Sequence, residues 1–307
     1  MDTGAAATMT SLPTFIIFGA SRSGTTGLYT YLRQHPDVFM SPLKETNFFA
    51  YEGRAMDCAG PGADYVNNSV TRFEDYAALF SKAGEAKARG EASPLYLYEK
   101  GTAERIRRRL PDVKLIAILR NPVDQAYSHY LYARRQMLEP HADFSAALDA
   151  EQERVEARWQ PMFHYARFPR YAEQLKPYFD AFPRENIRIY LYEDLESDPA
   201  RLLKDLFAFI GVDENFAPDI DYRPNAGGVP KNAALQDLVM KPNAASKILG
   251  AVLPFEVRRR IRDAISNWNV KRDECPPAAR ARLRAALGDD IAALGPMIGR
   301  DLSAWLK

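Results

Sequence analysis

FIIFGASRSGTT, residues 15–26, decides how this chain folds and poses the question of what it holds. An apolar run enters a glycine loop and leaves through Thr25-Thr26, the strand, loop and helix order of a phosphate-binding loop. A triphosphatase would follow its second glycine with Lys and then Ser or Thr, whereas Gly24 is followed by Thr25 and Thr26. In such an enzyme the lysine reaches the β- and γ-phosphates and the hydroxyl holds magnesium. Without that lysine there remain a nest of backbone N–H groups, the hydroxyls of Ser23, Thr25 and Thr26, and Arg22 inside the loop. That set suits a single phosphate, with no γ-phosphate and no metal.

Apolar, β-rich stretches recur at residues 14–18, 38–40, 113–119 and 187–191, with a weaker candidate at 89–92. Helical periodicity fills the gaps. Leu28, Tyr31 and Leu32 share a face after the loop, in a helix that should stop near His35-Pro36 because proline disfavours helix in the residue before it. Further helices are expected over 102–110, 128–137, 144–159, 171–182 and 199–210. Continuously apolar strands alternating with helices predict an α/β, three-layer P-loop-like fold with a central, mostly parallel sheet flanked by helices. The strand at 38–40 is expected to lie beside the glycine-loop strand. Toward the C-terminus come a Gly/Pro loop at 225–230 and arginine-rich helices at 257–265 and 276–287, so 225–307 reads as a loop and helical part. Residues 1–12 read as a loose tail and 13–307 as one domain.

Composition bounds the partners. Lysine and arginine total 41 against 40 acidic residues, so a net charge of +1 gives no whole-molecule attraction to nucleic acid or an anionic membrane. Any anion site must be local. Cys58 and Cys275 make neither a disulfide framework nor a metal site, which fits a reducing compartment. No window approaches the ~20 apolar residues of a membrane span, and the chain reads as cytoplasmic. The arginines at 105, 107–109 and 258–260 read as solvated helix faces, without the interleaved aromatics of a nucleic-acid reader. A homodimer through the C-terminal helices stays open.

A second stretch, KLIAILRNPVDQAYSHYLY at 114–132, is an apolar strand ending in Arg120, a turn at Asn121-Pro122 and a helix carrying Ser128. Arginine at a strand's carboxyl end and a hydroxyl eight residues later can converge on a second anion. Two phosphate sites imply a nucleotide phosphorylated at two positions.

These segments, in this order, resemble the sulfotransferases that use 3′-phosphoadenosine 5′-phosphosulfate (PAPS) and leave 3′-phosphoadenosine 5′-phosphate (PAP). SRSGTT at 21–26 resembles the 5′-phosphosulfate loop, and Arg120-Asn-Pro with Ser128 the 3′-phosphate motif. PLKETNFF at 42–49 is similar to a Lys-Glu-x-His-Phe-Phe segment of the glycan-modifying branch, with Asn47 where that branch often has histidine. GEASPLYLY at 90–98, YEDL at 192–195 and, as in bacterial members, GRDLSAW at 299–305 continue the likeness. The resemblance implies that Ser21, Arg22, Ser23, Gly24, Thr25 and Thr26 hold the 5′-phosphate and that Arg120 and Ser128 hold the 3′-phosphate. Lys231, after the glycine-rich loop, is a looser 3′-phosphate candidate. Glu45 matches the branch's base, and Arg22 stands where many members carry a catalytic lysine. Arginine stabilises charge without transferring a proton, and Lys44 is placed to share that task. His129 and His164 are the fallback bases.

The implied reaction passes a sulfuryl group in line to a hydroxyl, rather than an amine, of a carbohydrate, lipid or small-molecule acceptor, with no metal required. Aromatics at Tyr51, Tyr65, Trp159, Phe163, Tyr165 and Phe168 are expected near the acceptor, yet they suit a sugar face, a phenol or a lipid equally. Two other classes share the loop: a P-loop nucleotide kinase, and a non-catalytic nucleotide-binding protein of the same fold. Thr25 and the arginine, rather than an acid, that ends the 113–119 strand count against the kinase.

Overall fold

The computed structural model describes residues 12–220, 229–231, 270–271 and 273–307. The helix expected at 257–265, residues 225–228 of the Gly/Pro loop and all of the expected tail but Leu12 lie outside the described residues. Leu12, which the sequence places in the tail, is buried.

Five strands form one sheet in the order β2-β3-β1-β4-β5: β1 (Phe15–Gly19), β2 (Val38–Met40), β3 (Ala88–Ala92), β4 (Lys114–Leu119) and β5 (Ile187–Leu191). Every neighbouring pair is parallel. Alternate residues of the central strands enter opposite cores, as a period of two requires. Ile16 and Phe18 of β1 join Leu115, Ala117 and Leu119 of β4 in one apolar cluster. Phe15 and Ile17 join Ile116 and Ile118 in the other. The first face is covered by α2 (Thr102–Arg109), α3 (Pro122–Arg135), α4 (Tyr171–Ala181) and α6 (Pro277–Ile298). The second is covered by α1 (Thr25–Leu32) and α5 (Pro199–Ile210). The three-layer α/β reading therefore holds. Each fully buried side chain of the size of Phe207 or Leu206 contributes about 1.5–3 kcal/mol to holding α5 on the sheet.

Several boundaries differ from expectation, each for a local reason. The helix expected from 128 starts at Pro122, because Asn121 accepts from Val123 N at 3.0 Å and proline is tolerated in the first turn. The helix expected over 144–159 is two short ones, Phe144–Asp149 and Glu151–Glu156. The helix expected over 276–287 runs on to Ile298 and ends at Gly299, whose left-handed φ of 67° glycine adopts without strain. Part of the Gly/Pro loop, Val229–Pro230, pairs antiparallel with Val270–Lys271.

The main correction concerns the sheet order. β2 does not lie beside β1; β3, the stretch with the weakest strand signal, lies between them. Gly90 of β3 stands opposite Phe15, and a Cβ there would lie 2.1 Å from the Phe15 ring. The close approach of two central strands around that ring explains a glycine inside a strand.

Candidate functional site

A parallel sheet puts the carboxyl ends of all its strands on one edge. The loop after β1 (residues 20–24), the chain after β2 (41–47), Ser93 after β3, Arg120 after β4 and Tyr192 after β5 therefore meet there. From these segments Ser21, Arg22, Gly24, Glu45, Arg120 and Tyr192, together with Ser128, line a cleft of about 680 Å³. That is the size of a small-ligand site.

The glycine loop is fixed from both sides. Ala20 N bonds Ile118 O of β4 at 2.9 Å. Gln125 Nε2 of α3 donates to Ser21 O at 3.0 Å, and Arg120 Nη1 approaches Arg22 O at 3.4 Å. Gly24 caps α1 with φ 104°, and a Cβ there would stand 3.0 Å from Leu195, so only glycine fits. The first amides of α1, at Thr25, Thr26 and Gly27, have no acceptor within the helix, and all three residues line the cleft, the arrangement that suits an anion. Ser23 departs from expectation: it is fully buried, does not line the cleft, and donates its hydroxyl to Ser21 O at 3.4 Å.

Arg22 adopts a left-handed backbone, φ 62°, that swings its side chain onto α3. Its Nε donates to Ser128 Oγ at 3.4 Å and its guanidinium lies 4.5 Å above the Tyr132 ring. Ser128 and Tyr132 are one helical turn apart, which puts both on one face. Arg120 stacks 4.8 Å above the Tyr192 ring. The glycine loop and the helix after β4 are thus joined through Arg22 and Ser128. Burial lowers the pKa of Arg22, with Arg120 and Arg135 adding to the effect and Tyr132 and Glu45 opposing it. A half-buried cation beside two others is poised to gain from an arriving anion.

Glu45 also has a left-handed backbone, φ 65°, with its N–H on Ala92 O of β3 at 2.8 Å. Its carboxylate pairs with Lys44 and accepts from Tyr65 Oη at 2.6 Å. Burial alone would raise its pKa, but Lys44, Tyr65 and Arg22 together outweigh burial and leave it below the ordinary value. It is ionised at neutral pH and able to take a proton. Lys44 reaches the site only through Glu45, and Lys231 is exposed and does not line the cleft. His129 lines the cleft, but burial first, then Arg22 and His164, push its pKa down to about 3. His164 lies outside the lining, bonded to Tyr98 Oη at 2.7 Å, with a pKa lowered by burial to about 4. Of the aromatics expected near the acceptor, Tyr65 and Phe168 line the cleft; Tyr51, Trp159, Phe163 and Tyr165 do not.

Sequence reasoning missed Gln125, Tyr132 and the partnership of Tyr65 with Glu45. The spacing of Ser128 and Tyr132 was a usable signal; the tertiary contact of residues 45 and 65 left none. Among the described residues no group of three or more His, Cys, Asp or Glu is placed to hold a metal ion.

A parallel α/β sheet with helix-start amides, two arginines and a carboxylate gathered at its carboxyl edge defines a P-loop-like fold whose cleft carries the groups an anion site needs. The sulfotransferase domain model matches residues 12–222, and the chain belongs to the sulfotransferase family. A crystal structure of a sulfotransferase from Alicyclobacillus acidocaldarius superposes with a TM-score of 0.76 at 31% identity, over 96% of this chain and 99% of that one. The mouse heparan sulfate glucosamine 3-O-sulfotransferase 3A1 is 26% identical over 85% of this chain and 62% of its own. The membrane-associated sulfotransferase kil1 of Dictyostelium discoideum is 31% identical over 40% of this chain and 23% of its own. The chain thus spans less than two thirds of these two curated relatives. No helix among the described residues is long and apolar enough to cross a membrane.

Proposed function

We propose that this chain transfers a sulfuryl group from PAPS, in line, to a hydroxyl of a carbohydrate, lipid or small-molecule acceptor, with Glu45 as the base. The observation that carries this reading is the hydrogen bond from Arg22 to Ser128, which joins the glycine loop to the helix after β4 in the cleft that Glu45 also lines. The α1 amides with the Thr25 and Thr26 hydroxyls would hold the 5′-phosphate, and Arg120 with Ser128 the 3′-phosphate. The donor supplies the sulfuryl group and a phosphate on which negative charge grows as it leaves.

Arg22, fixed by Ser128 and Tyr132, stabilises that charge without donating a proton. Lys44 adds positive charge from its pairing with Glu45. Glu45, held ionised, takes the acceptor's proton, and Tyr65 orients the carboxylate through Oε2. The heparan sulfate relatives support a glycan among the acceptors. The two free thiols support a reducing, cytoplasmic setting.

The test is PAP release from PAPS with a panel of a phenol, a monosaccharide, a heparan oligosaccharide and a fatty alcohol. Acceptor-dependent release is expected, lowered roughly 10²- to 10⁴-fold in Glu45→Gln. Full turnover in Glu45→Gln would remove the base from this reading, and absence of release with every acceptor would remove the donor.

A further inference from the structure

Glu91 is the most unusual buried carboxyl group among the described residues: burial raises its pKa, and hydrogen bonds from Ser93, Tyr96, Thr46 and Tyr76 oppose that rise and favour the carboxylate. It sits in the middle of the sheet, on β3, fully buried and with no cation bonded to it. A carboxylate so placed is strongly disfavoured unless its oxygens are satisfied. Four hydroxyls satisfy them. Ser93 Oγ and Thr46 Oγ1 donate to Oε2 at 2.7 and 2.9 Å. Tyr96 Oη and Tyr76 Oη donate to Oε1 at 2.7 and 3.0 Å.

Three of these hydroxyls do a second thing: each accepts from one backbone N–H of the segment that follows Glu45. Ser93 Oγ accepts from Asn47 N at 3.2 Å, Thr46 Oγ1 from Phe48 N at 3.3 Å, and Tyr96 Oη from Phe49 N at 3.3 Å. A hydroxyl that donates to an anion is a better acceptor for the next donor, so Glu91 strengthens all three contacts. The segment it grips is strained, with Glu45 at φ 65° and Asn47 at φ 53°, conformations that persist only when surroundings over-determine them.

We propose that Glu91 is a positioning residue for the sulfuryl-transfer reaction. From inside the sheet, through Ser93, Thr46 and Tyr96, it fixes the backbone of residues 45–49 so that the Glu45 carboxylate is aimed into the cleft. This rests on Glu45 being the base. Two reasons favour positioning over simple core stability. A buried carboxylate with four donors is an expensive way to fill a core, since an apolar side chain would pack without that cost. Its bonds also converge on consecutive amides of one short segment rather than spreading through the core.

Tyr76 provides the internal control, because it bonds Glu91 but none of the three amides. Ser93→Ala and Tyr76→Phe each remove one hydroxyl from the same carboxylate, and only Ser93→Ala cuts a link to the Glu45 segment. The experiment measures kcat, the KM for PAPS and unfolding in urea for both variants, for Glu45→Gln and for Ser93→Ala/Glu45→Gln. Expected is a loss in kcat of roughly 10- to 100-fold in Ser93→Ala, the scale of a small misplacement of a catalytic group. KM for PAPS should stay unchanged, Tyr76→Phe should keep its rate at a similar urea midpoint, and the double variant should be no slower than Glu45→Gln.

Equal rate losses in Ser93→Ala and Tyr76→Phe, or none in either, overturn the positioning role while a slow Glu45→Gln leaves the base in place. Full rate in Glu45→Gln overturns both the base and the positioning built on it. A double variant slower than Glu45→Gln by the full Ser93→Ala factor shows that Ser93 does not act through Glu45, and overturns the proposal alone.

Discussion

Arg120→Ala is the sharpest test of the donor site, because it needs no acceptor. Arg120 is half-buried at the cleft edge, stacked on Tyr192 and 3.4 Å from Arg22 O, so its guanidinium is held ready for an anion. A hydrogen bond to a charged partner contributes about 1.5–3 kcal/mol, so its loss should weaken PAP binding about 10- to 150-fold. At a PAP concentration of ~100 times the dissociation constant, the native protein gains about 2.7 kcal/mol. The variant at the same concentration retains about 0.3–1.4 kcal/mol by the same mass-action relation. At about 2 °C per kcal/mol for a large domain, the PAP-induced rise in Tm should fall from ~5 °C to ~1–3 °C. The assay compares each protein with and without PAP, so any cost of losing the Tyr192 contact in the free protein cancels. A parallel titration with ATP and magnesium should leave Tm nearly unchanged. An undiminished PAP shift in Arg120→Ala would refute the assignment of the 3′-phosphate to this residue, and a large shift with magnesium ATP would return the loop to the kinases.

The remaining expectations are quicker to state. Tyr65→Phe removes a donor from the Glu45 carboxylate, so Glu45's pKa should rise toward its ordinary 4.5 and the acid limb of the rate profile should move to higher pH; an unmoved or lowered limb refutes this. Because the folded pKa is depressed, Glu45's own contribution to stability is present above its unfolded pKa and is lost as pH falls through the lower folded value. Urea unfolding at pH 7 and below 4 should show that direction, with a smaller drop in Tyr65→Phe. Gly90→Ala drives a methyl group to 2.1 Å from the buried Phe15 ring, and should cost about 1–3 kcal/mol by urea midpoint. Prolonged dialysis against EDTA should leave the sulfuryl-transfer rate unchanged; recovery only with added metal would contradict it.

How much was legible follows from the range of the interactions involved. The β1 loop could be read because apolar strand, glycine and hydroxyls are consecutive, and backbone sterics at Gly24 act within a few residues. Arg120 and Ser128 were readable for the same reason, since a strand end and the segment after it are local features, whereas Asn121 was read as a turn and is the cap that starts the helix six residues early. The two-sided burial of β1 and β4 was readable because both faces demand apolar residues. β3 was nearly invisible because Gly90 and Glu91 break the apolar run. Gly90 is there for the Phe15 ring of a neighbouring strand, and Glu91 for hydroxyls at positions 46, 76, 93 and 96. Likewise Ser23, one of the loop's hydroxyls, turns inward to Ser21 O, which composition alone does not show.

The sequence by itself determined the family, the α/β class and the parts of an anion cradle, since each rests on contacts between residues close along the chain. Only the tertiary structure decided the strand order, the joining of Arg22 to Ser128 and the network that carries Glu45. Those depend on pairs up to 106 residues apart in the chain, and such pairs meet only once both faces of the sheet are covered and strand ends are brought to a single edge.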